Sequence, residues 1–254
     1  MERTSHSPNH SALRNPHSTL AMDVEFVYYD LDDTLLDHGH AEREALADVR
    51  DRYLEIFGTL SVDELRAQYR AINGPLWRRY ADGEIEKATL KERRFARLLE
   101  AVGAPQADPA LVRRYYMQRY GHHWRFVPGA RETYEAVAEA VPVGVLTNGF
   151  AEVQAEKFRE FPTLEERAEA VVVCEQTGVL KPDPKAFAHA TEEAGVAPDD
   201  VLYVGDSYRS DVEGAQRAGW RVAWYAPDGP DGRSTDGRGF VFEDWDEFPA
   251  RLRS

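Results

Sequence analysis

Short apolar runs and long helical periods divide the chain into two kinds of stretch. Phe26-Val27-Tyr28-Tyr29 is a run of apolar and aromatic residues that stops on Asp30-Leu31-Asp32-Asp33. Runs of this length, rich in Val, Phe and Tyr, predict a buried strand. The same signature recurs at Val141 to Leu146, Val171 to Cys174, Val201 to Val204, Arg221 to Tyr225 and, more weakly, Gly239 to Phe242. Helical segments lie between these runs. Pro128-Gly129 leads into one with Tyr134 and Val137. Val153, Lys157 and Phe158 mark the next. Asp183 and Pro184 cap and open a third that runs to Gly195, and a short fourth with Asp211, Val212 and Ala215 is stopped by Gly219. Residues 226–239, rich in Gly, Asp and Pro, predict a loop. Strands alternating with helices predict an α/β fold built on a doubly wound parallel sheet.

From Thr34 to about Trp124 the strand signal vanishes. Ala41, Ala45, Val49 and Tyr53 form one stripe that ends near Gly58. Ser61-Val62-Asp63-Glu64 is a capping box, in which the Ser hydroxyl and the Glu carboxylate satisfy each other's free backbone N–H groups. The helix it opens carries Leu65, Tyr69, Ile72 and Leu76 on one face, and Gly74-Pro75 is expected to kink or break it. Thr89-Leu90-Lys91-Glu92 reads as a second capping box before Phe95, Leu99 and Val102, with Gly103 as terminator. Asp108-Pro109 opens another helix as cap and first residue, ending at Gly121. This is an all-helical cap inserted after the first strand. The expected division is a polar, disordered tail over 1–22, a core over 23–36 and 125–254, and the cap over 37–124.

Composition narrows the function. The chain has 254 residues and a formal net charge of -14. That charge argues against a nucleic-acid polymer or an anionic membrane as partner. It leaves room for a small anionic metabolite, which needs only a local positive spot. Lys occurs only at Lys87, Lys91, Lys157, Lys181 and Lys185; an acidic, Lys-poor surface would suit a salt-rich cytoplasm or reflect genome composition. The one cysteine, Cys174, excludes an intrachain disulfide and a cysteine metal cluster, and its place at the end of Val171-Val172-Val173 predicts a small buried side chain. No run approaches transmembrane length, and residues 1–22 lack the apolar core of a signal peptide. A cytoplasmic protein, monomer or homodimer, is expected.

The acidic cluster after the first strand carries the candidate chemistry. Ligands in open parallel sheets sit beyond the carboxyl ends of the strands. Side chains two apart on extended backbone point the same way, so Asp30 and Asp32 can share a site while Asp33 points elsewhere. A calcium loop would need Gly and Glu where Leu35 and Ala41 stand. Other core strands also end in polar groups: Thr147-Asn148 after Leu146, and Asp206 after Val204-Gly205. Lys181 follows the Val171 to Cys174 strand. Each alone could be a cap, a turn or a surface charge. Together, on one edge of a sheet, they form a possible site.

In that order the motifs resemble the haloacid dehalogenase-like (HAD) superfamily: DLDDT its first, LTNG its second, Lys181 in KPDP its third and GDSYRSD its acidic fourth. The resemblance extends over Phe26 to Tyr225. It implies Asp30 as nucleophile, Asp32 as general acid and base, Thr147 and Asn148 beside the phosphoryl group, and Lys181 offsetting its charge. It implies Mg²⁺ held by Asp30, the backbone carbonyl of Asp32, and Asp206, with Asp211 close to the metal. The superfamily's dehalogenases lack an acid two residues after the nucleophile, so Asp32 with Asp206 points to phosphate hydrolysis. A carboxylate nucleophile splits one difficult displacement into two through an aspartyl phosphate.

Within the helical block, Tyr69-Arg70-Ala71-Ile72-Asn73, Leu76-Trp77, Gly83-Glu84-Ile85 and Arg94-Phe95 are similar to the pyrimidine 5′-nucleotidase branch. Cys174, where that branch often has Ser, and the Phe161-Pro162 to Glu169 connection depart from it. Arg94 and Asn73 are candidate substrate-binding residues, although Arg94 by itself reads first as a solvated or structural arginine. Trp77 and Ile72 are expected in the core. The resemblance implies a phosphomonoesterase for pyrimidine nucleoside 5′-monophosphates. The alternatives are a sugar or acylneuraminate phosphatase, a 2-haloacid dehalogenase and a non-catalytic binding module.

Overall fold

In the computed structural model, which describes residues 24–253, the first strand is the middle of the molecule. Strand β1 (Phe26–Tyr29) lies between β2 (Val143–Thr147) and β4 (Val201–Gly205) in a sheet of order β3-β2-β1-β4-β5-β6. The outer strands are β3 (Ala168–Val173), β5 (Arg221–Tyr225) and β6 (Phe240–Phe242), and all pairings are parallel. Parallel strands covered on both faces bury alternate residues in two different cores, which is why they read as continuous apolar runs. Val27 and Tyr29 point into one core, with Tyr134, Phe158, Trp245 and Phe248. Phe26 and Tyr28 point into the other, with Phe187, Ala190, Ala215 and Trp220. The first face is covered by α6 (Ala130–Ala138), α7 (Ala151–Glu160) and α12 (Phe248–Leu252), the second by α10 (Pro184–Ala194) and α11 (Glu213–Arg217). From β1 the chain adds β2 and β3 on one side and then crosses to add β4, β5 and β6 on the other, so the carboxyl ends of β1 and β4 flank the switch-point crevice where this class of sheet binds ligands.

Strand ends differ from expectation by a residue or two. Val141 belongs to the turn that closes α6, its N–H donating to Val137 O, and β2 starts two residues later. Cys174 opens the short α9 (Cys174–Thr177) instead of ending β3. The unusual Phe161 to Glu169 connection folds as α8 (Thr163–Glu166), with Leu164 fully buried and its carbonyl taken by the Tyr134 hydroxyl at 2.8 Å. The polar tail over 1–22 lies outside the described residues.

Between β1 and α6 stand the helices of the cap: α1 (His38–Arg52), α2 (Leu54–Phe57), α3 (Val62–Ala81), α4 (Lys87–Ala101) and α5 (Pro109–His122). Their common core contains Ala41, Ala45, Val49, Leu65, Tyr69, Phe95, Leu99 and Tyr116. The Ser61 capping box forms, with Glu64 N donating to Ser61 Oγ at 3.2 Å and Ser61 N donating to the Glu64 carboxylate at 2.8 Å. Asp108 and Asp183 cap α5 and α10 as expected.

Two cap expectations fail. Helix α3 runs unbroken through Gly74-Pro75. A proline inside a helix costs about 3 kcal/mol or more. Ala71, whose carbonyl loses its partner, and Pro75 are both exposed, so water reaches the freed oxygen. Leu65, Tyr69 and Leu76 are buried on the opposite face. At about 1.5–3 kcal/mol each, two such burials offset the proline. Thr89 is not a cap: α4 begins at Lys87, after an extended Glu86 that makes no side-chain cap bond. The start is drawn forward because the Lys87 ammonium reaches Glu152 at 2.6 Å and Glu175 at 2.7 Å on the sheet side.

The two crossings between cap and sheet run side by side. Leu36 bridges to Phe126, Asp37 N donates to Arg125 O at 3.0 Å, and Val127 N donates to Leu35 O at 2.9 Å. This double strand holds the cap over the carboxyl end of the sheet.

Candidate active site

Asp30 leaves β1 as its backbone N–H closes the ladder to Val204 O at 2.8 Å. The residue is 8% exposed and faces a crowded acidic floor. Asp206 follows β4. Asp211 is turned back by one π-helical turn, Tyr208–Val212, whose frame is fixed by Asp211 N donating to Ser207 O at 2.8 Å. The turn also needs Gly205, since a Cβ there would lie 2.6 Å from the Asp211 carboxylate. Oxygens of Asp30, Asp206 and Asp211 lie within 4.8 Å of one another.

A single ammonium answers these three carboxylates. Lys181 is 1% exposed, and its Nζ donates to Asp30 Oδ1 and Asp211 Oδ1, both at 2.8 Å, and to the Tyr203 hydroxyl. Tyr203 in turn donates to Leu146 O at 2.9 Å. Burial would lower the lysine, but Asp211 and Asp30 outweigh it and hold it above its ordinary value. Burial pushes Asp30 up to about 7, with Lys181 opposing and Asp211 adding to the rise. Asp206 is held well above its ordinary value, first by burial and then by Asp211 and Asp30. One lysine leaves the floor short of positive charge, which suits a divalent cation.

Thr147 ends β2 with its side chain buried and its Oγ1 accepting from Gln154 Nε2 at 3.1 Å. Asn148 sits beside it, but its amide is committed elsewhere: Nδ2 donates to Lys181 O and Oδ1 accepts from Lys181 N, both at 2.8 Å. It braces the loop that carries the lysine.

Asp32 does not join the three-carboxylate group. Its Oδ2 accepts from Gln154 Nε2 at 2.9 Å and its Oδ1 pairs with the Lys157 ammonium. Burial would raise Asp32, but Lys157 and His38 outweigh it and hold it at about 2. Asp33, expected to point elsewhere, lines the same cavity; it has a positive φ of 61° that Asp tolerates, and its Oδ1 accepts from Gly39 N at 2.7 Å.

Above the floor is a cavity of about 540 Å³ whose roof is the cap. Arg94 lines it at 6% exposure, its guanidinium over the rings of Phe95 (5.3 Å) and Tyr116 (6.0 Å) and its Nη2 3.3 Å from Met117 Sδ. No ion pair to Arg94 forms among the described residues, and its Nε is buried without a partner. Asn73, 9% exposed, also lines the cavity with a buried, unpartnered Oδ1. Arg94 is therefore neither solvated nor salt-bridged. Ile72 packs in the cap as expected. Trp77 is both packed and cavity-lining, stacked on Phe150 at 4.6 Å.

Lys157, Gln154, His38 and Tyr203 were not expected at the site. Lys157 stood in the sequence only as a member of a helical stripe. The available signal was a charged residue at an apolar period, with Gln154 three residues before it on the same face. Cys174 is buried as expected, and burial pushes its thiol up to about 11, leaving it unreactive. Its neighbour Glu175 accepts from Ala151 N at 2.7 Å and ties the start of α7 to Lys87 of the cap.

A family model for haloacid dehalogenase-like hydrolases matches residues 26–219. The chain belongs to the haloacid dehalogenase-like hydrolases. Among HAD relatives it is 29% identical over 205 residues to the HAD-hydrolase YfnB of Bacillus subtilis, covering 79% of this chain and 83% of that one. It is 28% identical to the pyrimidine 5′-nucleotidase YjjG of Escherichia coli, over 80% of this chain and 86% of that one. It is 30% identical over 223 residues to a phosphoserine phosphatase of Thermus thermophilus, 79% of this chain and 88% of that one. The crystal structure of YfnB bound to magnesium superposes with a TM-score of 0.78 at 26% identity, covering 91% of this chain and 99% of that one. The HAD architecture, an α/β core with a helical cap, is thus established for this protein. No helix among the described residues is long and apolar enough to cross a membrane.

Proposed function

We propose that this HAD hydrolase is a cytoplasmic, Mg²⁺-dependent phosphomonoesterase that works through an aspartyl phosphate on Asp30 and acts on pyrimidine nucleoside 5′-monophosphates. The observation that carries the reading is the pairing of Asp30, set among two further carboxylates and Lys181, with a second acid, Asp32, lining the same cavity. The raised Asp30 and Asp206 mark a site short of positive charge, and oxygen ligands in such a cluster fit Mg²⁺, held by Asp30 and Asp206 with Asp211 beside them. Bound there, the ion would neutralise charge on the transferring phosphoryl group.

The chain's own groups account for the rest. An Asp30 oxygen attacks phosphorus, and the bond from phosphorus to the leaving oxygen breaks. The Lys181 ammonium, hydrogen-bonded to Asp30 and Asp211, offsets the charge that builds up during the transfer, and the Thr147 hydroxyl holds a phosphoryl oxygen. Asp32 gives its proton to the leaving alkoxide, then takes one from the water that cleaves the acyl phosphate. Lys157 and His38 favour the ionised Asp32; a phosphoryl dianion arriving beside it favours the protonated form the first step requires. Acid–base help of this kind contributes roughly 10²–10⁴-fold.

The substrate assignment rests on the roof. Trp77, Tyr116 and Phe150 offer flat apolar faces in the cavity, while Arg94 Nε lacks an acceptor and Asn73 Oδ1 lacks a donor. A pyrimidine base presents an acceptor beside a donor on a flat ring. A second reading is favoured by the absence of an acid partner for Arg94: an acylneuraminate or other leaving group that brings its own carboxylate. A panel of pyrimidine nucleoside monophosphates, ribose 5-phosphate, an acylneuraminate phosphate and phosphoserine, assayed with Mg²⁺, separates them. We expect kcat/KM for the nucleotides to exceed that for ribose 5-phosphate by at least about tenfold, equivalent to about 1.4 kcal/mol of base recognition. Equal rates, or preference for a carboxylate-bearing substrate, would remove the nucleotide assignment and leave the phosphatase.

A further inference from the structure

Two polar side chains of α7 reach the site from outside the strand ends. Gln154 and Lys157 lie one turn apart on the same face of the helix and are 0% and 1% exposed. Between them they take both oxygens of Asp32, Gln154 Nε2 at 2.9 Å from Oδ2 and Lys157 Nζ on Oδ1. The same Gln154 nitrogen reaches Thr147 Oγ1 at 3.1 Å. Room for this amide exists because residue 149 is glycine: a Cβ there would fall 1.6 Å from Gln154 Nε2.

Stability is a poor explanation for the pair. Desolvating an ammonium costs several kcal/mol, and well-packed apolar residues in place of such an ion pair are often neutral or stabilising. Lys157 has a second set of neighbours. Its ammonium lies 5.6 Å from the centre of the Tyr120 ring and 5.8 Å from that of Trp124, at the end of α5 and in the segment returning from the cap. The Tyr120 hydroxyl meets His38 Nδ1 at 2.7 Å, at the start of the cap. Lys157 therefore pairs with Asp32 on one side and lies against the returning crossing of the cap on the other, which Tyr120 joins to His38 at the outgoing one.

We propose that Lys157 and Gln154 are positioning residues that aim the Asp32 carboxylate and register it against the closed cap. A carboxylate on two rotatable bonds must serve first the leaving oxygen and then the attacking water, and misplacement by about 1 Å can cost 10²-fold. The clamp holds both oxygens from the α7 side, and Asp32 still lines the cavity. Through Gln154 it ties Asp32 to Thr147, so the acid and the phosphoryl group share one frame. Through Tyr120 and Trp124 the frame holds only when the cap is down.

This inference rests on the reading of Asp32 as acid and base, and the test separates the two. The intact enzyme, Asp32→Asn, Lys157→Met and Gln154→Leu are assayed with Mg²⁺ on p-nitrophenyl phosphate, whose leaving group needs little protonation, and on an alkyl phosphate, whose leaving group needs much. Lys157→Met is expected to lower kcat on the alkyl ester by roughly 10²-fold, within the range of acid–base catalysis, and on the aryl ester by less than about tenfold. KM should stay within about threefold, and Gln154→Leu should show the same split more weakly. Equal loss on both esters, or no loss, in folded Lys157→Met and Gln154→Leu while Asp32→Asn shows the split overturns the clamp and leaves the reaction standing. Absence of the split in Asp32→Asn overturns both. If Lys157→Met fails to show a cooperative thermal transition, Gln154→Leu, which removes no charge, decides.

Discussion

On the floor of the cavity Lys181 donates to Asp30, Asp211 and Tyr203, whereas on the roof Arg94 and Asn73 are also buried and each keeps a polar atom without a partner. Buried polar groups are nearly always hydrogen-bonded, and an unmet one costs about 1–3 kcal/mol. On the floor the Lys181 cluster is paired internally, with Gln154 Oε1 beside it left unpartnered, and it faces a constant object, a phosphoryl group and its cation. The roof has left that demand to be met by whatever enters. The contrast assigns chemistry to the sheet and selection to the cap, and it can be broken from either side.

The largest effect is expected on the floor. Asp30→Asn keeps the shape and removes the nucleophile, so kcat should fall by at least about 10⁴-fold on every phosphomonoester alike, since losing a member of a reacting unit removes nearly all of its catalysis. Steady-state assays on an aryl and a nucleoside phosphate check this, and a loss confined to one substrate would place Asp30 in recognition instead. The smaller effect belongs to the roof. Arg94→Ala should raise KM for nucleoside monophosphates by about tenfold while leaving hydrolysis of acetyl phosphate within about threefold, the pattern of lost binding to the non-reacting part. Parallel loss on both would make Arg94 part of the chemistry and erase the division.

The division also governs what the sequence could reveal. The strands were legible because burial on both faces makes Val201 to Val204 or Arg221 to Tyr225 continuous apolar runs. The floor was legible because its residues follow those runs directly: Asp30 and Asp32 after β1, Thr147 after β2, Asp206 after β4. The clamp on Asp32 was hidden because Lys157 lies 125 residues away and meets it through a helix face, where a lysine in an apolar stripe reads as periphery. Pro75 and Thr89 misled for a related reason. Each is a local signal overridden by a distant contact, the buried face of α3 in one case and the Lys87 pairs with Glu152 and Glu175 in the other. Asn148 was placed correctly at a strand end, but nothing in its neighbours foretold that its amide would brace Lys181. The bridge of Leu36 to Phe126 pairs the two crossings between cap and sheet, across residues far apart in sequence.

The most direct test of the account is the metal dependence of the floor, read on a substrate that barely involves the roof. Hydrolysis of p-nitrophenyl phosphate by the purified protein is measured after treatment with excess chelator and again after Mg²⁺ is restored. Three carboxylates gathered around one lysine predict that turnover disappears with the chelator and returns with Mg²⁺. Undiminished turnover in excess chelator would contradict the account, because the acidic floor would then be doing chemistry without the cation its crowded carboxylates call for.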